Sequence, residues 1–369
     1  MTDFFETSAL NSLRDHLLPG LWPMLAALVV CALAVPLAIA LSRRTGLIAE
    51  PGGRHAHGTP TPLLGGLAMY VGFAVAVLVF LPGYSDTAAV LVVSGLAVGL
   101  LIIDDRRPVR PLVKLGLQVL LAAIAVFVFG VKINFIRLPG LHAVELGLLV
   151  APISIFWLVG MQNTVNFLDG LDGLAAGVVF IVAVILMLAA GELQQLDIVR
   201  LSGALAGACA GFLLFNFHPA RIFMGDSGAH FLGIVVGMIS ILGVAKVAVA
   251  FALAAPVLAL ALPIADTAWA ILRRRLQRTS IAQPDRLHLH HRLQSFGLDP
   301  RQTCYVFYAA TALLGALGLT LFGHGRVLAV VLVATAVLTS TVAADLLQHA
   351  GLRIPAPFLR RLLGETGSR

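Results

Sequence analysis

The chain has 369 residues, of which 59% are hydrophobic and 12% charged, and this apolar excess excludes an ordinary soluble domain. A net charge of +7 does not amount to a nucleic-acid footprint, because the basic residues are spread over many short loops instead of one face. Cys31, Cys209 and Cys304 lie in or beside apolar segments without disulfide or metal-ligand spacing, and they read as small apolar fillers.

The first apolar run extends from Leu17 to Leu41 with no positively charged leader before it and no clear small-residue cleavage site after it, so it is expected to stay as a helix. A helix of roughly 20 apolar residues crosses a bilayer core and pairs its own backbone groups there. Runs near 17–42, 63–82, 87–103, 112–131, 144–162, 173–191, 199–216, 229–244, 247–272, 303–322 and 326–347 predict an all-α, polytopic transmembrane bundle of about ten to eleven spans. Residues 1–16 are expected to form an N-terminal segment on the periplasmic side, 17–347 a single transmembrane domain, and 348–369 a cytoplasmic tail. With the amino terminus outside, nineteen of the 25 Lys and Arg residues fall on the cytoplasmic side, as the positive-inside bias requires.

The same parity brings five polar clusters to that one side. Arg54, His55 and His57 precede Thr59-Pro60-Thr61-Pro62 and Gly65-Gly66, where prolines stiffen the loop and glycines permit close backbone approach; a helix-entry turn explains them equally well. Asp104-Asp105 end the third span and are followed by Arg106, Arg107, Arg110, Lys114 and Gln118. Adjacent carboxylates at the membrane edge suit proton acceptance or metal association, against a solvated helix end with arginine partners. Asn163, Asn166, Asp169 and Asp172 recur at three-residue spacing, which on a helix lines one wall with hard oxygen donors fit for magnesium or manganese. A capped helix start accounts for one or two of them.

His218-Pro219, Arg221 and Gly225-Asp226-Ser227-Gly228 form the fourth cluster, in which small neighbours leave room for a phosphate. The fifth is Asp285-Arg286-Leu287-His288-Leu289-His290-His291-Arg292 in the long basic loop. Without cysteine, and among arginines, its imidazoles fit an anion better than zinc. Asp266, near the end of the ninth expected span, needs a partner for its charge, whether structural or catalytic.

Together, in order and over most of the chain, these clusters resemble the polyprenyl-phosphate N-acetylhexosamine-1-phosphate transferases. Leu289 breaks the histidine triplet usual in phospho-N-acetylmuramoyl-pentapeptide transferases, so the sequence looks more like the branch that uses UDP-N-acetylglucosamine (UDP-GlcNAc). The resemblance implies a UDP-sugar donor, undecaprenyl phosphate as acceptor within membrane lipid, no nucleic acid, a cytoplasmic active site and Mg2+ or Mn2+; a homodimer stays open. It assigns Asn166 and Asp226 to the metal, Lys114 to phosphate contact, and Asp104 and Asp105 to activation of the carrier phosphate. Asp169 and Asp172 resemble residues at the catalytic and nucleotide centre. Asn163, Arg221, His288, His290, His291 and Arg292 are implied in substrate binding. A lipid-linked-sugar transporter is the competing reading, but it would spread ionisable groups through the membrane depth instead of gathering them at one surface.

Overall fold

The computed structural model of the chain describes residues 7–50, 60–107, 109–136, 144–243 and 299–321. Among them, helices α1 (Thr7–Thr45), α2 (Gly65–Phe80), α3 (Thr87–Arg106), α4 (Pro111–Ala123), α5 (Val150–Leu168), α6 (Leu174–Glu192), α7 (Leu196–Asn216), α8 (Gly225–Leu242) and α9 (Pro300–Leu321) form one bundle. Seven helical stretches among the described residues are long and apolar enough to cross a membrane, and α2, with 16 residues, is shorter. The protein is a polytopic membrane helical bundle. The expected spans at 247–272 and 326–347, Asp266, the His288–Arg292 loop, and Arg54, His55 and His57 lie outside the described residues.

Elements differ from expectation where a local feature outweighs hydropathy. The run expected at 144–162 begins as a strand, Val144–Glu145, paired antiparallel with Phe135–Ile136. A short 3-10 turn follows at Gly147–Leu149, where Gly147 has φ +51°, so the helix starts only at Val150. The shift carries Asn163 and Asn166 into the helix itself. At the other extreme, the run expected from 229 starts at Gly225 and puts Asp226 in the first turn of α8. The fourth run is α-helical to Ala123 and then widens into a π-helical turn at Ile124–Val128.

The centre consists of α6, α7 and α8, whose residues are mostly buried, as an all-round apolar helix must be when other helices enclose it. Helix α1 lies along α7 on a seam of small residues. A Cβ at Gly207 would fall 2.0 Å from Met24 O, and one at Gly203 would fall 2.2 Å from Gly20 O. Such close approach supplies dispersion contacts where lipid removes the hydrophobic drive between helices. Gly207→Ala is expected to lower the melting temperature in detergent, with overpacking of about 1–3 kcal/mol or more. Gly116→Ala, which meets nothing within 4 Å, is the control and should melt like the parent; equal melting of all three proteins would contradict the seam.

One end of the bundle is tied together by backbone. Ile48–Ala49 pairs with Thr61–Pro62, and Phe223 N–H donates to Pro62 O at 2.8 Å. Gly65 N–H and Gly66 N–H then donate to Phe223 O and Met224 O, each at 3.0 Å. A Cβ on Gly66 would sit 2.4 Å from Gly228 N, so one glycine from each helix lets α2 and α8 approach closely there, and Tyr70 and Phe73 pack against Phe231 farther along. The polar clusters within the described residues meet at this end.

Candidate active site

Helix α3 ends on Asp104 and Asp105, and a helix turn points these neighbours in different directions. Asp104 is buried, at 4% exposure. Its Oδ1 accepts the Val109 N–H at 2.7 Å, and its Oδ2 lies 2.9 Å from Lys114 Nζ. That second contact is an ion pair without hydrogen-bond alignment, so Oδ2 is a buried oxygen with no hydrogen-bond partner. Lys114 stands one turn into α4, whose start is set by Pro111, and proline suits a first helical position because it has no N–H to leave unsatisfied.

The same Lys114 ammonium pairs with Asp226 Oδ2. Asp226 Oδ1 accepts from Asn166 Nδ2 at 2.6 Å. One cation therefore lies between two carboxylates from separate helices, with an amide from a third closing the group. Asp226 N–H donates to Asp105 Oδ1 at 2.7 Å, and Ser227 N–H donates to Asp105 Oδ2 at 3.2 Å.

The wall of four expected from three-residue spacing is not a single helical face. Helix α5 carries Asn163 and Asn166 but stops at Leu168; Asp169 closes it and Asp172 lies in the following turn. The Asp-Gly-Leu-Asp-Gly sequence ends the helix, and Gly173 takes φ +83° at the start of α6. Asp172 serves the α7–α8 loop, where its Oδ2 lies 2.8 Å from His218 Nδ1 and accepts the Ala220 N–H at 3.0 Å. Asn163 also turns away from the carboxylates and donates to Gln118 Oε1 at 2.7 Å. Arg221 is exposed, with its backbone N–H on Phe215 O at 2.8 Å, so its guanidinium is not among the groups that converge.

Asp169 is partly exposed at its surface, yet protein atoms crowd its carboxyl. Burial first, then the charges of Asp226, Asp105 and Asp172, push it up to about 8, because four acids so close cannot all be ionised cheaply.

Residues outside the expected site support it from below. His230, fully buried, places Nδ1 2.8 Å from Asp226 O and Nε2 2.7 Å from Gln118 Nε2. A carbonyl only accepts, so Nδ1 carries the proton and Nε2 accepts from the Gln118 amide. Gln118 in turn joins Asn163, and the chain ties α4, α5 and α8 together one turn from the carboxylates. In the sequence, the signal was a lone histidine four residues after Asp226 in an apolar helix. Asn216 is a second support, accepting Gly173 N–H at 3.0 Å and donating to Ile222 O at 2.8 Å. From α9, Arg301 Nε donates to His218 O at 3.0 Å and Tyr308 OH to Gly173 O at 2.7 Å.

Among the described residues, no three or more His, Cys, Asp or Glu side chains gather as a metal-binding group. Asn166 and Asp226 are instead a pair of hard-oxygen side chains in contact, since a carboxamide can present its oxygen as readily as its nitrogen. A sparse oxygen set fits magnesium, which keeps several waters and draws its remaining ligands from substrate phosphates. The buried Asp104 Oδ2 adds a second carboxylate to this pair, whose Asn166 amide is neutral.

The glycosyl transferase family 4 profile matches residues 87–244, the stretch from α3 to α8 that carries every side chain just described except those of α9. A probable undecaprenyl-phosphate N-acetylglucosaminyl 1-phosphate transferase of Bacillus subtilis is 36% identical over 77% of this chain and 80% of its own length. A decaprenyl-phosphate N-acetylglucosaminephosphotransferase of Mycolicibacterium smegmatis is 34% identical over 87% of this chain and 86% of its own. The chain belongs to glycosyl transferase family 4. Its likeness extends to a phospho-N-acetylmuramoyl-pentapeptide-transferase of Moorella thermoacetica, 33% identical over 83% of this chain and 99% of the relative. Family 4 membership thus covers the whole carboxylate group.

Proposed function

We propose that this family 4 chain transfers N-acetylglucosamine 1-phosphate from UDP-GlcNAc to undecaprenyl phosphate at the cytoplasmic face of a bacterial inner membrane. The products are undecaprenyl-pyrophosphoryl-N-acetylglucosamine and UMP, and the reaction initiates a cell-surface glycan. The observation that carries this reading is the Lys114 ammonium held between Asp104 and Asp226 with Asn166 alongside. It is a compact polar site in an apolar bundle, suited to two phosphates that would otherwise repel. The relatives named for this reaction support the choice of substrates.

A carrier phosphate oxygen attacks the β phosphorus of the nucleotide sugar, the bond from that phosphorus to the bridging oxygen breaks, and UMP leaves with the bridging oxygen. One pyrophosphate linkage replaces another, so little bond energy changes and the barrier is governed by alignment and charge. A phosphate monoester has a second pKa of about 6, so near neutral pH the nucleophile is already dianionic and little work remains for a protein base. Lys114 lies where it can turn from its carboxylates toward an incoming phosphate. A divalent cation held by Asn166 and Asp226 would screen and orient the pyrophosphate.

The test is purified protein with undecaprenyl phosphate, a panel of UDP-sugars, and Mg2+, Mn2+ or EDTA, with the lipid product identified by mass. The N-acetylglucosamine product, together with UMP formed only when carrier and cation are both present, is expected. A product bearing N-acetylmuramoyl-pentapeptide would move the chain to the branch of the Moorella thermoacetica relative. No UMP under any condition would leave the transporter reading.

A further inference from the structure

The two adjacent aspartates that end α3 do different work. Asp104 faces Lys114, while Asp105 spends both carboxylate oxygens on the backbone of another helix: Oδ1 on Asp226 N–H at 2.7 Å and Oδ2 on Ser227 N–H at 3.2 Å. The first N–H groups of a helix have no partner within it and need one from elsewhere. At α8 the local candidate is Met224, which makes no side-chain cap.

Gly225 completes the fit. It has φ +70°, and a Cβ there would fall 2.6 Å from Asp105 Oδ2. The carboxylate therefore occupies the space that a side chain would take.

We propose that Asp105 is the N-cap of α8, supplied across the bundle from α3, and a positioning residue for Asp226 instead of a proton acceptor. A carboxylate at a helix start is favoured by the helix dipole as well as by its hydrogen bonds. Here one of those bonds is made to the backbone N–H of Asp226 itself, so it fixes the rotation of the first turn and with it the direction of the Asp226 side chain. Loss of the cap frees that turn and scatters the carboxylate between Lys114 and Asn166. This assignment rests on the transfer reaction proposed above for its catalytic consequence, but the cap is a property of the fold.

The test compares Asp105→Ala and Asp105→Asn in full-length protein in detergent. Asparagine keeps one side-chain oxygen for the Asp226 N–H, gives up the second acceptor that the Ser227 N–H uses because its Nδ2 only donates, and is a poor proton acceptor. Hydrogen–deuterium exchange of a peptide spanning 224–230, Mn2+ binding followed by electron paramagnetic resonance, and the kcat and KM of sugar-phosphate transfer are read together. Asp105→Ala is expected to speed exchange of the first α8 amides and weaken Mn2+ binding, each by about tenfold, the scale of a lost cap. Asp105→Asn keeps one of the two hydrogen bonds, so it should exchange this peptide at a rate between those of the parent and the alanine variant and turn over faster than the alanine variant.

An asparagine variant that keeps the amides protected yet is as inactive as alanine would overturn the proposal, because the missing property would then be the carboxylate's basicity. Unchanged exchange and Mn2+ affinity in Asp105→Ala would overturn it as well. If the alanine variant does not fold, the asparagine variant alone decides, protected and active for the proposal or protected and inactive against it. Wild-type protein that transfers no sugar phosphate would sink the functional reading, while exchange and Mn2+ binding would still judge the cap.

Discussion

Asp226→Ala is expected to lower sugar-phosphate transfer by about a thousandfold or more, with the protein still folded and abundant. Removing one preorganised electrostatic group from a transfer site costs about a hundred- to a thousandfold in turnover, and Asp226 is engaged in more than one way. Its two oxygens meet Lys114 and Asn166, and it is one of the two side chains proposed to hold the cation. The fold is spared because the side chain is about one-third exposed and Lys114 keeps its second partner, Asp104. The backbone N–H that Asp105 caps is untouched by the substitution. Initial rates with saturating UDP-GlcNAc and carrier, set beside size-exclusion profiles and melting curves, check both halves of the expectation. A well-folded variant retaining a tenth of parent turnover would remove Asp226 from the centre of the chemistry.

The gross architecture was readable because lipid imposes one rule on every span, internal pairing of the backbone. Hydropathy alone therefore located α1, α3, α6 and α7 to within a few residues at the ends nearest the site. Where a non-helical feature competes, hydropathy is blind: the pairing of Val144–Glu145 with Phe135–Ile136 displaced the start of α5, although Val144 opens a largely apolar run. The convergence of Asp104, Lys114, Asn166 and Asp226 followed from loop parity and motif order together.

Spacing misled at the Asn163–Asp172 stretch. Three-residue intervals describe one helical face only while the helix continues, and the glycines at 170 and 173 mark where it stops. Asp172 consequently braces the His218–Ala220 loop instead of extending the wall. The separate tasks of Asp104 and Asp105 were beyond the sequence, since adjacent residues share every sequence property and differ only in the direction a helix turn gives them. His230 is silent in the sequence for the opposite reason, a single imidazole in an apolar helix whose partners, Gln118 and the Asp226 carbonyl, are identified only by packing.

Lys114→Met should be nearly as damaging to turnover as Asp226→Ala, and unlike it should also destabilise the protein. Methionine keeps much of the length and apolar stem of lysine while deleting the charge. Asp104, 3% exposed at its side chain, then loses its ion-pair partner, and Asp226 faces it across the site without the cation between them. Stripping one member from a buried pair costs about 3–5 kcal/mol; because Lys114 and Asp226 are partly exposed, about 1–3 kcal/mol is the reasonable scale. A divalent cation can replace part of the missing charge, and a ligand that binds the folded state raises its melting temperature by mass action. Mg2+ should therefore raise the melting temperature of Lys114→Met by more than it raises that of the parent, although turnover stays low because the ammonium no longer reaches the substrate phosphate. Lys114→Arg separates charge from shape: its planar fork restores stability more than activity, since guanidinium and ammonium do not present their donors in the same geometry. Differential scanning fluorimetry across a Mg2+ titration, alongside initial rates, reads both effects. If Lys114→Met melts like the parent and gains nothing extra from Mg2+, the two carboxylates do not depend on that lysine, and the charge balance inferred for the site is wrong.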